Sequence, residues 1–144
     1  MKLPEYVTVE EVKRVCKELN IRDWTTLKKP EVLPEEARAI LAELNTGEIE
    51  TSIENFRQGL EVELEHGIRY PEANVTNNHP ILTAQIVLAH FKESWDYYKR
   101  LEVAEIGGDL LKAVVNKDAS KAEALYRKLI MAKLTLSQAE SDKL

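Results

Sequence analysis

Residues 80–98 read Pro-Ile-Leu-Thr-Ala-Gln-Ile-Val-Leu-Ala-His-Phe-Lys-Glu-Ser-Trp-Asp-Tyr-Tyr. In this stretch Ile81, Ala84, Leu88, Phe91, Trp95 and Tyr98 recur at intervals of three and four, the spacing that lines one face of an α-helix. Pro80 suits the first turn of such a helix, where its missing N–H would have had no partner. The rhythm continues through Tyr97, Leu101, Ala104, Gly108, Leu111 and Val115. It predicts either one long helix or two parted at Gly107-Gly108, since two glycines inside a helix cost roughly 1 kcal/mol each.

Working outward, the same period recurs in nearly every long segment. Val9, Val12, Val15, Cys16 and Leu19 form the stripe of a first helix, capped by Thr8 with Glu11 as a capping box and ending near Asn20. Pro34 opens a short second helix with Ala37, Ile40, Leu41 and Leu44 inward and Gly47 as its stop. A third begins at Thr51 or Ser52, with Thr51 and Glu54 as a capping box, and runs to His66, where Gly67 is placed to end it. The polar stretch from Gly67 to His79 reads as a loop. A last helix starts near Asp118 with Ala122, Leu125, Leu129, Ala132 and Leu136 at heptad spacing, before a polar tail from Ser137 to Leu144. The expected fold is all-α: a single-domain helical bundle of five or six helices over residues 1–144.

Composition limits the function classes. A chain of 144 residues, 44% of them hydrophobic, can build a core without disulfides or a structural metal. The net charge of −5 and the lack of any clustered basic run argue against nucleic acid as a partner. One cysteine, Cys16, excludes an internal disulfide and sits on an apolar stripe as a small hydrophobe. No segment is apolar enough for a membrane span, and Met1 to Glu5 carry no leader-like stretch, so a cytoplasmic setting is expected and the Asn74-Val75-Thr76 sequon is expected to stay unmodified.

One constellation carries chemistry. On a wheel of the third helix, Ile53, Phe56, Leu60 and Leu64 share the inward face, and Glu54, Arg57, Gln58, Glu61 and Glu65 the solvated one. Glu63 falls beside Phe56 instead, with His66 three residues on. The fourth helix repeats the anomaly with His90 and Glu93, away from its solvated strip of Gln85, Lys92, Asp96 and Lys99. An ionised carboxylate facing protein needs a partner or a metal. The order Glu63-x-x-His66 and then His90-x-x-Glu93, on antiparallel helices, brings like groups level. Three readings stand: an ion pair that fixes helix register, a site for a divalent metal (Zn, Fe or Mn) held by Glu63, His66, His90 and Glu93, or a metal-free acid/base pocket. His79, ahead of Pro80, reads as an exposed capping residue, and Tyr97 and Tyr98 as core and rim aromatics. There is no phosphate loop, Cys-x-x-Cys, nucleophile elbow or His-Glu-x-x-His, so no enzyme class and no nucleotide or organic cofactor is indicated.

The segments Phe56 to Gly67 (containing Glu-Leu-Glu-His-Gly), Asn74-Val-Thr-Asn77, Leu88-Ala-His-Phe-Lys-Glu93 and Asp96-Tyr-Tyr98 resemble a family of short bacterial and phage proteins known as a domain of unknown function. The resemblance covers about residues 52–101 and, more loosely, Thr8 to Trp24; the helix around Pro34 to Leu44 reads as an addition, and 107–144 as a C-terminal helical extension. The family pattern has an acidic residue where this chain has Asn78 or His79, while Glu63, His66, His90 and Glu93 all match. The resemblance implies no activity. Finally, Tyr126, Ile130 and Leu134 add apolar surface beyond the last helix's inward stripe, so a homo-oligomer or a protein partner is expected to cover it, with folding back onto the preceding long helix as the alternative.

Overall fold

The first helix, α1, spans Val9–Glu18 and opens as its sequence dictates, with the Thr8 hydroxyl accepting the Glu11 N–H at 3.2 Å. The Glu11 carboxylate turns instead to Arg14. The computed structural model describes residues 7–47 and 49–144, and the N-terminal residues read above for a leader lie outside them. Within that range the other helices are α2 (Pro34–Ala42), α3 (Ile53–Arg69), α4 (Pro80–Glu93), α5 (Tyr97–Val115) and α6 (Ala119–Lys143), with single 3-10 turns at Trp24–Thr26 and Pro71–Ala73. There is no strand among the described residues. The chain is all-α, and no described helix is long and apolar enough to cross a membrane.

Several helix ends differ from the expected ones. α2 stops at Ala42, five residues short of Gly47, because the Glu43 and Leu44 N–H groups fold back on the Ile40 and Leu41 carbonyls in a tighter turn. The cap of α3 is Ser52, whose hydroxyl accepts the Asn55 N–H, and the helix runs through Gly67 to Arg69. Gly67 is therefore a helical residue and not a terminator. Downstream, α5 passes Gly107-Gly108 unbroken; the interruption falls at Ser94, where the backbone extends to φ −156°, ψ 128°. The polar tail after Ser137 stays helical to Lys143.

The residues gather into two compact units, one reaching to Trp95 and one from Asp96 to Leu144. In the first, α3 packs on α2 and α4, and α4 also meets α1 and α2. Val12, Trp24, Val32, Ile40, Phe56, Leu60, Leu64 and Val87 are all sealed from solvent at this junction. In the second, α5 and α6 pack against each other as an antiparallel hairpin, closed at its open end by Arg100, which bonds both Asp96 and Glu140.

Candidate functional site

Phe56, Leu60 and Leu64 anchor α3 in the core, and this fixes the direction in which Glu63 projects. On α4, burial of Ala84, Val87, Leu88 and Phe91 does the same for His90. The two side chains meet across the helix pair, with His90 Nε2 3.5 Å from Glu63 Oε1. The other ring nitrogen, Nδ1, lies 3.2 Å from Glu93 Oε2, one helical turn along α4. Glu63 and His90 are partly buried, 15% and 26% exposed, rather than sealed, and Glu93 stands largely in solvent. His66 is on the exposed side of α3.

The structure thus joins three of the four residues through one imidazole, in the sequence Glu63, His90, Glu93. It does not gather four donors around a point, and no three His, Cys, Asp or Glu side chains converge on one position among the described residues. Glu93 sits behind the ring with respect to Glu63. An ion held by Nε2 would have Glu93 as the carboxylate that orients the imidazole, the arrangement usual behind metal-bound histidines.

Elsewhere in this unit lies polar structure that the pattern of apolar residues does not announce. Glu61 and Arg57, assigned above to the solvated face, clamp the extended segment before α2: Glu61 Oε1 accepts the Val32 N–H at 3.0 Å and Arg57 donates to the Val32 carbonyl. Glu36, only 2% exposed, accepts from the Arg22 backbone, the Leu33 N–H and the Arg22 guanidinium. Burial pushes the Glu36 carboxyl up, but these hydrogen bonds outweigh it and hold it below the ordinary carboxylate value. The one sequence signal for Glu36 was its place three residues after Leu33, at the position from which a carboxylate reaches back to the N-cap N–H.

The Gly67 and Asn74 to Asn77 motifs prove to be one structural knot. A Cβ on Gly67 would run into Asn78 Oδ1 and come within 3.0 Å of the Asn74 amide. Asn74 and Asn78 are bonded to each other twice, and Asn78 also donates to the Trp24 carbonyl. Asn77 and Asn78 both adopt positive φ, which asparagine tolerates better than most residues. The Asn74 amide of the sequon is thus bonded within the fold. His79 caps α4 as expected, its Nδ1 accepting the Leu82 N–H, but it is buried and not exposed. Burial pulls its imidazole below the ordinary value.

The comparisons find no match among curated proteins or among solved structures. The pattern that does match runs over residues 12–107, from α1 to the middle of α5, and so includes Glu63, His66, His90, Glu93 and the asparagine knot. By that match the chain belongs to the family described as Protein of unknown function (DUF5661).

Proposed function

We propose that this helical protein binds a divalent transition-metal ion, Zn, Fe or Mn, between α3 and α4, with Glu63 and His90 as its first donors. The observation that carries the reading is the 3.5 Å span from Glu63 Oε1 to His90 Nε2 on two different helices. Two ligands of one tetrahedral ion, each about 2.0–2.2 Å from it, stand roughly 3.3–3.5 Å apart. Glu93 on Nδ1 supplies the orienting carboxylate, and His66, exposed one turn from Glu63, completes the donor set by a side-chain rotation that disturbs no core contact.

Cobalt(II) titration of metal-stripped protein tests this. One ion per chain is expected, with d–d absorption of N/O ligation; His90→Ala abolishes it and Glu93→Gln weakens it roughly 10- to 100-fold. A second reading rests on the occupation of both ring nitrogens by carboxylates: the trio is an ion-pair tie between α3 and α4. In that case the titration shows only weak, non-stoichiometric uptake, and Glu63→Gln costs about 0.2–1 kcal/mol of stability, the worth of a partly exposed pair.

A further inference from the structure

One side of the α5–α6 hairpin is mainly apolar, broken by Lys133, and it is open; the other is mainly polar, with Met131 as its exposed apolar residue. Val103, Ile106, Leu110 and Ala113 of α5 form the stripe facing α6, which answers with Ala122, Leu125, Leu129, Ala132 and Leu136. Rotating from that stripe at about 100° per residue, Val114, Leu111 and Val115 follow in one sense round α5. Tyr126, Ile130 and Leu134 follow in the same sense round α6. Because the helices are antiparallel, equal senses of rotation bring both sets to the same side of the hairpin. The opposite side carries Glu102, Glu105, Asp109 and Lys112 on α5, and Lys121 and Lys128 on α6.

The six large side chains of the apolar side are each between 42% and 69% exposed. Together they leave roughly 600–700 Å² open, at the upper limit for the largest patch of a monomer and near the about 800 Å² per partner of a standard stable interface. Gly107 lies in the middle of this side, and a Cβ there would meet nothing within 4 Å, so its small size serves no contact inside the chain. We infer that the apolar side of the α5–α6 hairpin docks on the same side of a second copy, closing a two-fold symmetric four-helix bundle. A patch shared by two antiparallel helices meets its own two-fold copy helix to helix, the geometry of an isologous four-helix contact.

Sedimentation equilibrium of the full chain at 1–100 μM tests this. Wild type is expected at twice its 16.5 kDa mass. Leu111→Glu combined with Ile130→Glu is expected to shift it to monomer with helical circular dichroism retained, while Thr135→Glu, on the polar side, leaves the dimer intact. Should the double variant fail to fold, the wild-type melting temperature decides, since a dimer coupled to folding melts higher as concentration rises. A monomeric wild type whose Tm is independent of concentration overturns the inference, as does a folded double variant that remains dimeric.

Discussion

The unit reaching to Trp95 and the hairpin from Asp96 are both helical, yet they manage apolar surface in opposite ways. In the first, Trp24, Ile40, Phe56, Leu60 and Leu64 are fully enclosed, because irregular segments wrap the helices and are pinned by the buried Glu36, the partly buried Glu61 and the Asn78 amide. In the hairpin, Leu111, Val115, Tyr126 and Leu134 stand open, because two helices can shield only the faces they turn to each other. Enclosure of a small helical core depends on what the loops do, and the loops here are held by polar bonds.

The largest effect that would separate the units is a cavity. Leu60→Ala, at a site with no solvent exposure, is expected to cost about 2–5 kcal/mol in urea unfolding, whereas Leu129→Ala, half-buried between α5 and α6, costs about 1–2 kcal/mol. Similar values at the two sites would show that the hairpin core is as closed as the other. Next comes the polar pinning. Glu36→Ala removes the acceptor of two backbone N–H groups and a guanidinium, and about 2–4 kcal/mol is expected, since the 38% exposed Arg22 side chain turns to water when abandoned. A loss below 1 kcal/mol would mean that apolar packing alone holds the 22–33 segment.

Acid should act on the first unit through the same polar groups. His79 is held below its ordinary 6.5, so the folded state binds its proton less readily than the unfolded one; its contribution is complete above about pH 6.5 and declines as pH falls. Glu36, depressed from 4.5, adds a further loss as pH falls below that value. Thermal melts from pH 7.5 to about 2.5 should show both steps, and His79→Asn, which keeps a cap acceptor, should remove the upper one.

Two helical glycines sharpen the contrast with opposite signs. Gly67→Ala is expected to destabilise by about 1–3 kcal/mol, because Asn74 and Asn78 are locked in mutual bonds and cannot retreat. Gly108→Ala meets nothing within 4 Å and should stabilise by up to about 1 kcal/mol through helix propensity. The smallest effect concerns the α5–α6 link, where Lys117 sits at φ 55°; Lys117→Gly should raise Tm slightly, by relief of at most about 1 kcal/mol of left-handed strain.

The helices, the cap at Thr8, the start of the last helix near Asp118 and the inward stripes of α1, α3 and α6 were legible from the sequence, because burial of one helical face imposes a period that any window of the chain displays. Spacing also singled out Glu63 and His90, since a carboxylate on an apolar stripe is an anomaly visible without a neighbour. Their contact needed the packing of α3 on α4, whereas Glu93, one turn from His90 on the same helix, was placed beside it by spacing alone. The roles of Glu36, Glu61 and Gly67 were not legible in the same way. A glutamate that accepts a backbone N–H from 29 residues away looks like a solvated one, and a helical glycine facing two asparagines looks like a helix stop. Local sequence determined which segments are helical and which faces are apolar, because those follow from period and capping chemistry. Tertiary structure alone decided which polar groups are sealed by partners distant in the chain, because desolvation and hydrogen bonding depend on what arrives from elsewhere.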